Sequence, residues 1–244
     1  MIVSQDDHSI VLEAPFGAGG ELSVPGSKSI SNRALLLAAL SSGQTELRGL
    51  LHSDDTGVMI DALQTLGVEI DVAGEITRVS GCGGLFPTTN ADIFLGNAGT
   101  AVRTLVPVLA LGKGKYKIRG VPRMHERPIG DLVDALLSIG AEINYEGQTG
   151  FLPLRIIKSE RLDFSQLVIV NGNISSQFLT GLLLALPLTG EKVVIKVDGV
   201  LVSKPYVDLT LKLMNSFGVN VTNDNWKQFE IEGGQSYSGP PRYD

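Results

Sequence analysis

The sequence contains one cysteine, Cys82, in 244 residues. An intrachain disulfide is therefore excluded, and a lone thiol cannot build a cysteine-based metal site. Histidine is almost as scarce: His8, His52 and His125 do not stand at metal-ligand spacing. Long apolar runs are missing as well. The longest, Phe178 to Leu188, is 11 residues long and is interrupted by Thr180 and Gly181, about half of a membrane span. Met1 to His8 is polar and acidic and lacks the apolar segment of a signal peptide, so a soluble, cytoplasmic protein without a membrane partner is expected. Positive charge is in deficit, with 20 Lys and Arg against 26 Asp and Glu. That balance argues against a general nucleic-acid binder, although it leaves room for a local basic pocket.

Glycine, by contrast, is abundant, at 29 residues, as suits a fold with many tight turns and helix ends. Three segments carry the same pattern of an amphipathic helix stopped by glycine and followed by an alternating strand: DALQTLG ending at Gly67, DALLSIG ending at Gly140, and LKLMNSFG ending at Gly218. The period is roughly 75 residues, a signature of internal repetition. A second helix type recurs with that period and is apolar on all sides: Arg33 to Leu40, Arg103 to Leu111, and Phe178 to Leu186. Such helices belong inside a core. A strand ending in glycine follows each, at Gly49, Gly120 and Gly199. The expected fold is α+β, a pseudo-threefold domain of three repeats, each made of buried helix, strand, amphipathic helix and two strands. A doubly wound nucleotide fold is the alternative, but its glycine fingerprint is absent. The clusters Gly17 to Gly20 and Gly81 to Gly84 read as turns.

Polar residues gather where these helices begin. PGSKSISNR (Pro25 to Arg33), NAGTAVR (Asn97 to Arg103) and SSQ (Ser175 to Gln177) precede or open the apolar helices. Ser53-Asp54-Asp55, Arg127-Pro128 and Ser203-Lys204-Pro205 are expected to open the amphipathic ones. Capping accounts for residues such as Ser53, Asp54 and Thr100. It does not account for Lys28, Arg33, Arg103 and Arg127, since a cation at the positive end of a helix costs about 0.3–1 kcal/mol. Either acidic side chains or a bound phosphate or carboxylate must offset that cost.

Five ordered motifs, PGSKSISNR, LGNAGTAVR (Leu95 to Arg103), ERPIG (Glu126 to Gly130), ISSQF (Ile174 to Phe178) and VSKPY (Val202 to Tyr206), resemble those of the 5-enolpyruvylshikimate-3-phosphate synthase family. The resemblance covers nearly the whole chain and corresponds to the family's N-terminal half. It implies an enolpyruvyl transferase-like fold and transfer of the enolpyruvyl group of phosphoenolpyruvate to the 5-hydroxyl of shikimate 3-phosphate, with release of phosphate, in the shikimate pathway. No metal or cofactor is implied. Carried over residue by residue, Ser29, Arg33, Ser175, Ser176, Ser203 and Tyr206 match positions that hold shikimate 3-phosphate. Lys28, Gly99, Arg127 and Gln177 match positions that hold phosphoenolpyruvate. Asn97, Thr100 and Arg103 lie near the site, and Lys28 and Asp55 are candidates for supporting roles. No catalytic group is assigned in this half, because the family's proton-transfer carboxylates lie in the other one.

The resemblance places residues 1–22 with the other, C-terminal domain, 23–237 in the shikimate 3-phosphate-binding domain, and 238–244 at the start of the crossover. Residues 1–22 and 236–244 are accordingly expected to be poorly ordered or packed differently without that domain. The chain alone is expected to bind shikimate 3-phosphate, to hold phosphoenolpyruvate weakly, and not to catalyse. Two departures from the family pattern are Thr104, where many members carry proline, and His125, where lysine or arginine is usual. Thr104 bears on phosphoenolpyruvate and glyphosate-like inhibitor affinity by its effect on Gly99 and Thr100. His125 reads as a surface variant. The alternatives are an isolated, non-catalytic binding module and a UDP-N-acetylglucosamine enolpyruvyl transferase. The latter carries a reactive cysteine where this chain has Arg123 to Glu126, and Cys82 lies elsewhere.

Overall fold

The computed structural model describes residues 2–6, 9–12, 19–22 and 24–244. Strands β1 (Ile2–Gln5) and β2 (Ile10–Leu12) pair with each other, outside the three larger sheets. The remainder is the expected repeat. The first copy comprises α1 (Lys28–Leu40), β3 (Gln44–Arg48), α2 (Asp54–Thr65), β4 (Glu69–Ala73) and β5 (Ile76–Ser80). The second runs through β6 (Asn90–Phe94), α3 (Gly99–Ala110), β7 (Lys115–Arg119), a four-residue helix α4 (Pro122–His125), α5 (Gly130–Ser138), β8 (Glu142–Tyr145) and β9 (Leu154–Ile157). The third contains β10 (Val168–Asn171), α6 (Ser176–Ala185), β11 (Val193–Asp198), α7 (Lys204–Ser216), β12 (Val221–Asp224) and β13 (Gln228–Ile231). A two-residue strand, β14 (Arg242–Tyr243), ends the chain.

The apolar helices are the core. Every residue of α1 from Ser31 to Leu40 is buried, as is every residue of α3. A helix without a solvent face must be surrounded, and α3 packs against both α6 and α1. Each fully buried leucine there, such as Leu35, Leu36 and Leu37, contributes roughly 1.5–3 kcal/mol. The amphipathic helices end where the sequence places their glycines: Gly67, Gly140 and Gly218 have φ of 89°, 88° and 84°, the left-handed conformation that stops a helix without a Cβ penalty.

Around this core stand three four-stranded sheets of one design. Their orders are β14-β3-β5-β4, β6-β7-β9-β8 and β10-β11-β13-β12. In each, the first strand runs parallel to the second and the others antiparallel. The parallel edge strand is absent from the repeat as read from sequence, and it has two origins. β6 and β10 immediately precede their buried helices, whereas the first sheet takes β14 from the far end of the chain.

That arrangement answers one part of the expectation for residues 236–244, which are packed rather than poorly ordered. Tyr237 is 2% exposed, its hydroxyl donates to Leu184 O at 2.8 Å, and the Tyr243 ring packs against Phe217, tilted by 43° with ring centres 5.8 Å apart. The edge of β3 and the end of α7 supply partners, so the tail packs within this domain. The matching expectation for residues 1–22 falls partly outside the described residues, as does the turn expected at Gly17.

Two local expectations also shift. Arg127 and Pro128 do not open α5, which starts at Gly130, because the intervening Ile129 lies at φ −138°, outside the helical range, with its N–H bonded to Gly150 O at 2.9 Å. Ser53 does cap α2, in a reciprocal capping box with Thr56, while Asp54 is the first helical residue and Thr100 lies inside α3 without capping it.

Candidate functional site

The three buried helices and α7 all begin at one end of the molecule, and their N-termini surround a cleft of about 660 Å³. Lys28, Ser29, Arg33, Asp55, Asn97, Gly99, Thr100, Arg103, Arg127, Ser175, Ser176, Gln177, Ser203 and Tyr206 all line it, so every sequence-predicted site residue arrives at one place. The repeat explains the convergence, since each copy delivers its polar helix start to the same end. Thr104 and His125 do not line the cleft. Thr104 is buried and donates to Thr100 O at 2.9 Å within a continuous α3. His125 is half-buried, and its Nε2 accepts from the Gly120 N–H at 3.2 Å, a structural role rather than a surface substitution.

The cleft is strongly cationic. Its lining side chains include four cations and one carboxylate, Asp55, which pairs with Lys28 at 3.1 Å. Among the described residues, Arg33, Arg103 and Arg127 have no carboxylate partner. Their contacts are with neutral oxygens. Arg33 donates from Nε to Thr210 Oγ1 at 2.8 Å, from Nη1 to Ser29 O at 2.9 Å and from Nη2 to Thr180 Oγ1 at 3.4 Å. Arg103 donates to Gly99 O at 3.2 Å and Pro128 O at 2.8 Å, and its guanidinium lies 5.6 Å from the Phe178 ring centre. Its Nε is buried without a partner. Arg127 donates to Asn97 O at 3.0 Å and rests against Gly99.

Burial pushes the Arg33 guanidinium down to about 10, and it pushes Arg103 to about 10 with help from the like charge of Arg127. Both remain charged at neutral pH, so the fold holds two buried positive charges at helix starts, against the macrodipole. An anion in the cleft would relieve both strains.

Hydroxyl groups ring these cations. Ser175 caps α6 by accepting from the Gln177 N–H at 3.2 Å, and Gln177 Nε2 donates to Thr100 Oγ1 at 3.4 Å. Ser203 precedes α7 in the left-handed region, φ 54°, and its side chain makes no cap bond. A non-glycine residue held there is strained by about 1–3 kcal/mol, which the surrounding structure must offset. The buried Thr180 and Thr210, which hold Arg33, are functional candidates missed by the sequence reading. Their signal was a lone polar residue within an otherwise apolar helix face.

A larger cavity, about 920 Å³, lies at the other end of the buried helices, bordered by Leu40, Leu111 and Pro187. Its lysines are Lys113 and Lys192, and Lys192 is paired with Glu230 and Glu232. None of the sequence-predicted residues reaches it, and it lacks the convergent, unpaired cations of the smaller cleft. Among the described residues no His, Cys, Asp and Glu cluster could hold a metal, and no helix is long and apolar enough to cross a membrane.

Comparison with known proteins agrees with the architecture. The chain is 54% identical over 228 residues to a 3-phosphoshikimate 1-carboxyvinyltransferase of Burkholderia lata, covering 92% of this chain and 52% of that protein. A protein of the same name from Ralstonia pickettii is 54% identical over 226 residues, covering 91% and 52%. The chain thus spans about half the length of the curated relatives it matches. An EPSP synthase structure from Acinetobacter baumannii superposes with a TM-score of 0.79 at 24% identity, over 90% of this chain and 49% of that one, and so shares the fold. The family model for EPSP synthase (3-phosphoshikimate 1-carboxyvinyltransferase) matches residues 15–243, and the chain belongs to that family.

Proposed function

We propose that the cleft binds shikimate 3-phosphate and forms one half of an active site that transfers the enolpyruvyl group of phosphoenolpyruvate to its 5-hydroxyl. The observation that carries this reading is the set of three arginines facing the cleft without a carboxylate partner, ringed by hydroxyls. Both substrates carry a phosphate and a carboxylate, and only an anionic ligand offsets that much buried positive charge. Ser29, Arg33, Ser175, Ser176, Ser203 and Tyr206 hold shikimate 3-phosphate, whose ring hydroxyls need several neutral donors. Lys28, Gly99, Arg127 and Gln177 hold phosphoenolpyruvate, with Asn97, Thr100 and Arg103 supporting them. Asp55 keeps Lys28 aimed into the cleft through their ion pair.

The substrate-holding unit is residues 23–237 with 238–244 packed along its edge, and 1–22 belongs with a C-terminal domain, all in the cytoplasm. Since the chain spans half the length of its relatives, it binds without turning over by itself. Positioning and proton transfer are lost together when half a site is missing, each worth several powers of ten. Calorimetric titration of the chain tests this. Shikimate 3-phosphate should bind far more tightly than phosphoenolpyruvate, with no phosphate released from a mixture of the two. Tighter binding of phosphoenolpyruvate alone, binding of neither, or turnover at an ordinary enzymatic rate would each overturn the reading.

A further inference from the structure

Arg33 is 2% exposed and all three of its side-chain nitrogens are engaged, but every partner is neutral. Two of those partners, Thr180 on α6 and Thr210 on α7, are themselves fully buried, with hydroxyls 3.3 Å apart. Their proton order follows from a count of donors. The single Thr210 proton goes to Tyr206 O at 2.8 Å, so Thr210 accepts from both Arg33 Nε and the Thr180 hydroxyl. Thr180 in turn accepts from Arg33 Nη2. A guanidinium has five N–H donors, and three are used here, which leaves two for the cleft that Arg33 lines.

A carboxylate at either threonine position would grip the arginine more strongly through charge-assisted hydrogen bonds, but it would also cancel the charge. We infer that Thr180 and Thr210 are positioning residues that fix Arg33 without neutralising it, so that its full charge is available to the anionic substrate of the cleft. The same chain of bonds ties Arg33, from the first repeat, to the start of α7, where Ser203 and Tyr206 stand. The inference rests on the anion-binding reading of the cleft.

Calorimetry with shikimate 3-phosphate on single variants separates the two ideas. If the unmodified chain does not bind, it is the proposed function that fails, and the clamp with it. If it binds, T210V should raise Kd roughly tenfold, the scale of one lost hydrogen bond to a charged group. T210S, which keeps the hydroxyl, should restore it to within about threefold. T210D is the decisive variant, because it holds Arg33 firmly and removes its charge. Its Kd should rise more than that of T210V even though thermal unfolding shows the fold intact. A merely structural contact predicts the opposite, with T210D binding like the unmodified chain. That result, or unchanged binding by folded T210V, overturns the inference. Should T210V fail to fold, the comparison of T210D with T210S decides alone.

Discussion

The Arg127 guanidinium occupies the space that a side chain on Gly99 would need: a Cβ built there would lie 2.5 Å from Cζ and 2.6 Å from Nη1. Gly99 opens α3, so its missing side chain lets a cation lie directly against a helix start. Replacing it with alanine should move Arg127 and break its bond to Asn97 O. The displaced group is the end of a flexible side chain, so stability should change by less than about 1 kcal/mol. Phosphoenolpyruvate titrated into the chain saturated with shikimate 3-phosphate should bind at least tenfold more weakly, roughly the value of one charged contact. Shikimate 3-phosphate binding should hold.

Ser175 and Ser176 have unequal second roles, which the double alanine variant will expose. Ser175 caps α6, so losing it should cost about 1 kcal/mol of stability. Ser176 contributes no cap. Shikimate 3-phosphate affinity, measured well below the unfolding midpoint, should fall in the double variant and in S176A alone. Affinity equal to that of the unmodified chain would remove both serines from the site.

Binding should depend on pH through the ligand rather than the protein. Arg33 and Arg103, though depressed by burial, stay protonated below about 9 because each lies near 10. A phosphomonoester loses its second proton near pH 6, so affinity should rise between about pH 5 and 7 and then level off. Falling affinity across that window would mean that a protein cation titrates there.

The tail should stabilise the domain. Tyr237→Phe leaves Leu184 O buried without its donor, which costs about 1–3 kcal/mol. Removing residues 237–244 also bares the edge of β3 and the Phe217 ring, and should lower the urea midpoint further. A truncated chain with an unchanged midpoint would show that β14 only rests on the sheet.

The helices and the cleft were legible in the sequence for a physical reason. A run such as Ala34 to Leu40 has no polar face, so it can only be internal, and Gly67, Gly140 and Gly218 mark helix ends by backbone chemistry. The edge strands were not legible. In β6 only Ile93 is buried, and β14 is two residues whose identity as a strand depends on β3, far away in sequence. The start of α5 was misplaced because a proline favours the first helical turn, but the extended φ of Ile129 separates Pro128 from the helix. Thr180 and Thr210 were passed over because a polar residue on an apolar face signals a buried hydrogen bond without naming its partner, which only the fold supplies.

The origin of β14 sets the direction in which the chain leaves it. β6 and β10 run toward the cleft, and the connections that follow them carry Asn97 and Ser175 to its wall. β14 lies in the corresponding slot and points the same way as its parallel neighbour β3. In topological terms the domain is a circular permutation of three sequential units, cut between the leading strand and the buried helix of the first. The link that those two units make between leading strand and buried helix is therefore open in the first, where Ser27, the cap of α1, stands in the place of Ser175 and is reached from Val24 instead.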